Sequence, residues 1–294
     1  MKCYAAIAFL LLLIVGCRQS TSRPPRADIE TIKTNSYAAT GTFKELQEDG
    51  RALIAHDEIT NFMPAMTMAF NVQNSNEVSM LRAGDRIAFQ LHVTEESSWI
   101  DRIALKSRPP RTNASASSVT NRPRVAFALT NIPNFSFTNE FGQPVSLRDL
   151  KGQAIAFTFF FTRCPIPEYC PRLSKNFQGA SKQLSADPNA PTNWHLFSIS
   201  FDPFDTPPVL RAYGRAYNYD SNHWSFLTGP HAQMTNLANG FGVKITGEAG
   251  NYAHGFATVV FDAQGKLQAR WPVGGDTTGA IVGELRKGMA EANN

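Results

Sequence analysis

Two groups of residues with soft ligand atoms lie far apart in this chain. The first group is His56, Met63, Met66 and Met68, and the second is Cys164 and Cys170 with the distant His254. Thioether, thiolate and imidazole are soft to borderline ligands, so their combination favours monovalent copper over zinc, iron or magnesium. The sequence therefore indicates a protein that handles copper.

The methionines of the first group belong to a predicted strand. Met66 and Met68 are two residues apart, so both side chains point to one face of that strand. Pro64 stiffens the turn before them, and Met63 sits at the edge of that turn. Methionines on one face of a strand also suit a hydrophobic core. The residues alone leave both a metal site and core packing open.

The cysteines follow an apolar run, residues 154–161, of the kind buried on both faces of a central strand. Pro165 and Pro167 exclude a regular helix between the two cysteines, so Cys164 is predicted to lie on a loop. Cys170 is predicted at the start of the next helix, where backbone amides and the helix dipole would stabilise its thiolate.

Pro171 supports the predicted helix start, because proline is favourable at the first helical position. A closely spaced cysteine pair in an oxidising compartment either forms a disulfide or holds a metal. A structural disulfide, a redox pair and a metal site therefore all remain open for Cys164 and Cys170.

The N-terminal segment is typical of an export signal, because Met1 and Lys2 are followed by an apolar run from Ala5 to Val15 that is short for a membrane span. The end of the run, residues 13–17, resembles the bacterial lipobox. That resemblance implies a signal peptide over residues 1–16 and lipidation of Cys17. It predicts a membrane-anchored lipoprotein of the bacterial cell envelope that faces the periplasm, with a plain signal peptide or a retained anchor as alternatives.

Composition divides the mature chain into two domains. A polar tether is predicted over residues 17–30, and a flexible linker rich in Pro, Ser and Asn over residues 107–124. The formal net charge of +4 comes without blocks of Lys or Arg, so no nucleic-acid partner is expected.

The first domain, residues 31–106, contains short alternating or apolar runs separated by turn residues such as Gly50 and Gly84. This rhythm predicts a small all-β barrel. The second domain, residues 125–294, alternates strand and helix patterns, with helices predicted near 172–184, 208–217 and 231–241. It is predicted to be an α/β domain with its site at the carboxyl end of a central strand.

The segments 56–70 and 81–87 of the first domain resemble the CusF family of periplasmic copper-binding barrels, which have an OB-like fold. The resemblance implies that His56, Met66 and Met68 bind Cu(I). Met63 stands where that family has a tryptophan that caps the metal, and its thioether would add a fourth ligand. The spacing from His56 to the methionines is one residue shorter than in the family pattern.

Four motifs of the second domain, at residues 161–171, 198–207, 224–229 and 252–255, resemble the Sco/SenC family in the same order. The resemblance implies a thioredoxin-like fold, copper ligation by Cys164, Cys170 and His254, and a role in assembling the copper centres of cytochrome c oxidase. The family pattern has three residues between the cysteines, whereas this chain has five.

Two functions follow from these patterns. The favoured one is a membrane-tethered metallochaperone, not itself an enzyme, whose barrel captures Cu(I) and whose second domain passes it to a partner such as a cytochrome c oxidase subunit. The alternative is a thiol–disulfide oxidoreductase in which Cys164 and Cys170 reduce the cysteines of a target copper site. Catalytic thioredoxins have two residues between their cysteines, so the longer spacing here favours the chaperone.

Overall fold

The computed structural model describes residues 33–109, 135–146, 152–186, 192–248, 251–271 and 275–290. The predicted signal peptide, Cys17, the tether and most of the predicted linker lie outside these ranges. None of the helices in the described ranges is long and apolar enough to cross a membrane.

The N-terminal part of the described chain is an antiparallel sheet in the order β3-β2-β1-β4-β5. Its strands are β1 (Asn35–Leu46), β2 (Ala52–His56), β3 (Met66–Phe70), β4 (Arg86–Val93) and β5 (Ser98–Ser107). Burial alternates along β4, so one face of the sheet forms a core and the other meets solvent. An isolated bridge between Val72 and Ile100 brings the end of β3 beside β5. The predicted all-β barrel is therefore a barrel-like sheet, without a continuous closing ladder.

The C-terminal part is a seven-stranded mixed sheet in the order β14-β13-β8-β9-β10-β6-β7. Its strands are β6 (Phe137–Asn139), β7 (Pro144–Val145), β8 (Ala154–Phe160), β9 (Trp194–Ser200), β10 (Trp224–Thr228), β13 (Thr258–Phe261) and β14 (Leu267–Trp271). The strands β8, β9 and β10 are parallel, and the remaining pairs are antiparallel. The two strands β11 (Ile245–Glu248) and β12 (Asn251–His254) form a separate hairpin.

Four helices accompany this sheet, namely α1 (Cys170–Ser185), α2 (Pro207–Ala216), α3 (His231–Gly240) and α4 (Thr278–Ala290). All seven residues of β8 are buried, as its continuous apolar sequence predicts. Helices α1 and α4 contact each other, and both contact β8. This packing fixes the end of β8 and the loop that leads from it into α1, which is the loop that carries Cys164.

The helices predicted near 172–184, 208–217 and 231–241 agree with α1, α2 and α3 to within two residues. The hairpin, strand β14 and helix α4 were not predicted from the sequence.

Candidate metal sites

His56 is the last residue of β2 and lies directly opposite Met66 of β3, while Ile54 lies opposite Met68. Met66 and Met68 therefore share one face of β3, as their spacing predicts. Gly41 of β1 pairs with His56 on the other side, and a Cβ there would come 2.8 Å from the His56 Cα. Glycine at this position lets β1 approach the strand that carries the imidazole.

The His56 imidazole has a defined tautomer. Its Nδ1 lies 2.7 Å from the carbonyl oxygen of Asp57. A carbonyl only accepts, so Nδ1 carries the hydrogen and Nε2 keeps its lone pair. Nε2 is buried and has no hydrogen-bond partner among the described residues. Burial lowers the pKa of His56, which keeps the ring neutral. A buried nitrogen lone pair without a donor is suited to a metal ion.

The three methionines line a cavity of about 210 Å³. Met63 and Met68 are 4% and 8% exposed and also belong to the hydrophobic core of the barrel. Met66 is partly buried. Core packing and a metal site were the two interpretations left open by the sequence, and these positions are compatible with both at once.

Cys164 lies on the loop between β8 and α1, and Cys170 is the first residue of α1. Both are free thiols, and each influences the pKa of the other. Burial acts to raise the pKa of Cys164, but hydrogen bonds from the Cys170 thiol and from the backbone amides of Ile166 and Cys170 outweigh it and leave this pKa below its ordinary value. Burial raises the pKa of Cys170 well above its ordinary value.

The sequence predicted a stabilised thiolate at Cys170, and that prediction was wrong. Cys170 is fully buried and itself starts the helix, so the backbone amide of Cys170 serves the sulfur of Cys164. Pro171 is accordingly one position further into the helix than predicted. The thiol that ionises more readily is the partly exposed Cys164.

His254 ends strand β12 of the separate hairpin. Its Nδ1 lies 2.8 Å from the carbonyl oxygen of Gly255, so its Nε2 also keeps the lone pair. Burial lowers the pKa of His254 to about 4. The ring packs edge-on against Phe161, Phe201 and Phe256 at centroid distances of 5.5, 4.8 and 4.3 Å. This aromatic surround fixes a neutral imidazole beside the cysteine loop.

The cavity of about 210 Å³ brings together ligand residues that are distant in sequence. Met63, Met66, Met68, Cys164 and His254 all line it. His56 and Cys170 do not line the cavity. His56 lies opposite Met66 on the adjacent strand, and Cys170 interacts with Cys164; both Met66 and Cys164 line the cavity. In the described ranges, no three His, Cys, Asp or Glu side chains converge closely enough to hold a metal ion together. A shared site for Cys164, Cys170 and His254 therefore requires a movement of the loop or of the hairpin.

Two aspartates hold the cysteine loop and were not recognised as site residues from the sequence. Asp205 accepts hydrogen bonds from the Thr162 amide at 2.9 Å, the Thr162 hydroxyl at 2.5 Å and the Ser200 hydroxyl at 2.6 Å. Asp202 is ion-paired with Arg163 at 2.6 Å. Both aspartates belong to the motif at residues 198–207, whose sequence alone does not assign them a role. Their role is to fix the backbone just before Cys164.

The remaining histidines each have a partner that accounts for them. The contacts are His92 with Ser36 and Asp101, His195 with Ser225, His223 with the Trp194 carbonyl, and His231 with the Phe201 carbonyl. These partners give the four histidines structural roles.

A mixed sheet flanked by helices, with two thiols after its central strand β8, defines a thioredoxin-like α/β domain with a dithiol site. A family model for SCO1/SenC matches residues 125–290, and the chain belongs to that family. A model for the copper binding periplasmic protein CusF matches residues 36–105. The resemblances of the second domain to the Sco/SenC family and of the first domain to the CusF family are thus confirmed.

Individual relatives cover only part of the chain. The SCO1 protein homolog of Bacillus subtilis (strain 168) is 33% identical over 96 residues, or 32% of this chain and 47% of that protein. The match therefore spans about half the length of that relative. A SCO1/SenC family lipoprotein from Bacillus anthracis str. Ames has 25% identity and a TM-score of 0.48, over 53% of this chain and 93% of its own. Arabidopsis thaliana ScoI with copper bound has 19% identity and a TM-score of 0.45, and the match covers 54% of this chain and 97% of that structure.

Proposed function

We propose that the protein is an exported copper metallochaperone that binds Cu(I) and delivers it to a copper-accepting protein, such as a cytochrome c oxidase subunit. The observation that carries the proposal is the donor set at one cavity: thioethers from the barrel, and a thiol and a neutral imidazole from the thioredoxin-like domain. Soft sulfur ligands favour Cu(I) over Cu(II). The copper-bound Sco relatives and the description of CusF as a periplasmic copper-binding protein support the same conclusion.

In this proposal each domain has its own ligands. The barrel uses His56, Met66 and Met68, with Met63 as an additional thioether. The thioredoxin-like domain uses Cys164, Cys170 and His254. The unpartnered Nε2 of His56 and the same tautomer in His254 support these assignments, because each ring offers a lone pair at the nitrogen that its backbone hydrogen bond leaves free.

The acceptor is proposed from a relative. BsSco, which is 22% identical with a TM-score of 0.47, is a member of the Sco family of cytochrome c oxidase assembly proteins. We further propose that Cys17 is lipidated and holds the protein at the periplasmic side of a membrane. Replacement of Cys17 by Ser should release the protein from the membrane fraction, and an unmodified wild-type N-terminus would contradict this anchor.

A thiol–disulfide oxidoreductase is the second candidate, and one specific observation favours it. Cys164 is partly exposed with a lowered pKa, whereas Cys170 is buried with a raised pKa. This asymmetry suits an attacking thiol and a resolving thiol. The neutral histidine beside the pair has no role in such exchange but is a ligand in the chaperone.

The two functions are separated by His254→Ala. If the domain binds copper, this variant should lower the Cu(I) affinity by about two orders of magnitude, since one ligand of a structural zinc site is worth roughly 3 kcal/mol. Disulfide formation between the cysteines should stay nearly intact. The measurement is a chelator competition titration beside a disulfide-exchange assay on the same samples. Unchanged copper affinity with rapid reduction of a disulfide substrate would favour the oxidoreductase.

A further inference from the structure

The cavity of about 210 Å³ is bounded by both domains. Met66 and Met68 of β3 line it from the barrel, and Cys164 and His254 line it from the thioredoxin-like domain. Strand β12, which carries His254, packs directly against β3. The two sets of sulfur ligands therefore line one common cavity.

The five residues between the cysteines hold the domains in this arrangement. The Glu168 carboxylate accepts hydrogen bonds from the Ser98 amide and, at 2.9 Å, from the Ser98 hydroxyl. The Tyr169 hydroxyl donates to the carbonyl oxygen of Ala69, which lies next to Met68 on β3. Ile166 and Tyr169 are buried within the core of the barrel. The loop that spaces the cysteines thus contacts both the methionine strand β3 and strand β5 of the barrel.

A second set of contacts lies at the rim. Glu96 of the barrel is ion-paired with Arg172 and Lys175 of α1. The Glu96 side chain is 65% exposed, so these pairs add little to the free energy of docking. They mainly set the orientation of the two domains. The contacts of Glu168 and Tyr169 are less exposed than these rim pairs and contribute more to the docking of the domains.

We infer that Cu(I) captured by the barrel passes to the cysteines inside the same chain, through a transient site in this cavity composed of a Met66 or Met68 thioether and the Cys164 sulfur. The inference rests on the proposed function. Glu168 and Tyr169 act as positioning residues that keep the donor and acceptor sulfurs at one cavity. Copper then need not leave the protein between its two binding sites.

The exchange conserves electrons and charge. One thioether–copper bond breaks as one thiolate–copper bond forms, copper remains Cu(I), and the proton of the Cys164 thiol is released to water. An anionic thiolate attracts Cu⁺ more strongly than a neutral thioether does, above all in a partly buried site. The transfer therefore runs from the methionines to the cysteines.

The test is the rate at which copper reaches the cysteines in the full chain. The reduced apoprotein is mixed rapidly with the Cu(I) complex of a bicinchoninate chelator, and the thiolate-to-copper absorption is followed. The Met66→Leu/Met68→Leu variant and the Glu168→Ala/Tyr169→Phe variant should both fill the cysteines at least about tenfold more slowly than wild type. A lost hydrogen bond to a charged group has roughly that effect on a docking equilibrium.

The matched control is Glu95→Ala/Tyr37→Phe, which removes an exposed barrel carboxylate and a barrel hydroxyl away from the cavity and should fill at the wild-type rate. Glu168→Gln keeps an acceptor oxygen and should retain most of the rate. The equilibrium affinity of the cysteines should be the same in all variants, which separates a blocked path from a weakened site.

Filling at the wild-type rate or faster in the Glu168→Ala/Tyr169→Phe variant would overturn the inference, because copper would then reach the cysteines directly. The same holds if the methionine variant fills at the wild-type rate. Absence of thiolate-to-copper absorption in the wild type would instead contradict the proposed function.

Discussion

The two ligand regions of this protein are built differently. In the barrel, His56 and Met66 lie opposite each other on adjacent strands of one sheet, so hydrogen bonds between the strands fix their separation. In the thioredoxin-like domain, Cys164 lies on a loop, Cys170 begins a helix and His254 ends a separate hairpin. The comparison suggests a preformed site in the barrel and an adjustable one in the second domain.

The histidines of the two regions nevertheless share one arrangement. Each donates Nδ1–H to a nearby backbone carbonyl, and burial lowers the pKa of each. Each ring is thereby neutral, with its lone pair on Nε2. The regions differ in their sulfur ligands: neutral thioethers in the barrel and ionisable thiols in the second domain. In the transfer that we propose, that difference favours movement of copper from the methionines to the cysteines.

Cys170→Ser should produce the largest effect. It removes one thiolate from the cysteine site, and the Cu(I) affinity of that site should fall by about two to three orders of magnitude, by analogy with the share of one ligand in a structural zinc site. Copper binding by the barrel should persist. Chelator competition on the reduced full chain measures both. An unchanged affinity of the cysteine site would show that Cys170 is not a ligand.

Met68→Leu and Met66→Leu should have intermediate effects. Each should lower the Cu(I) affinity of the barrel by roughly tenfold, because a neutral thioether contributes less than a thiolate. Leucine conserves the volume, so the free energy of unfolding should change by less than about 1.5 kcal/mol. Chemical denaturation and copper titration of the same samples test this. Full copper affinity in the double variant would assign both methionines to core packing alone.

His195→Gln should have the smallest effect. His195 is also largely shielded from solvent, and burial lowers its pKa to about 4, but its Nε2 is bonded to the Ser225 hydroxyl at 2.9 Å. Both copper affinities should therefore stay within about twofold of wild type, which is well under 1 kcal/mol. A loss of affinity as large as that of His254→Ala would show that burial, and not a free lone pair, distinguishes the ligand histidines.

Local sequence patterns predicted the elements that position the sites. Alternation and apolar runs predicted the barrel strands and β8, and the prolines around Cys164 predicted its loop. Helix α4 was not predicted, because Gly279, Gly283 and Gly288 lower its helix propensity. Gly288 is explained by packing, since a Cβ there would come 2.9 Å from the Asp262 Cα. Such contacts between distant segments are not visible in a local pattern.

The same limit applies to the candidate sites. Residue types and family resemblance predicted every proposed ligand, but not the shared cavity, the roles of Asp202 and Asp205, or the contacts of Glu168 and Tyr169 with the barrel. These depend on how strands far apart in sequence come together. The thiol that ionises more readily was assigned to Cys170 because the pattern shows where the helix starts, but not that the Cys170 side chain is buried.

The central claim is that the chain has one Cu(I) site in each domain, and stoichiometry tests it most directly. The reduced full chain is titrated anaerobically with Cu(I) against a chelator, beside the Met66→Leu/Met68→Leu and Cys164→Ser/Cys170→Ser variants. We expect two copper ions per wild-type chain, with each double variant losing or strongly weakening a different one. A single copper per wild-type chain that is lost in both double variants would show one shared site. Wild-type stoichiometry and affinities in either double variant would contradict the corresponding ligand assignment.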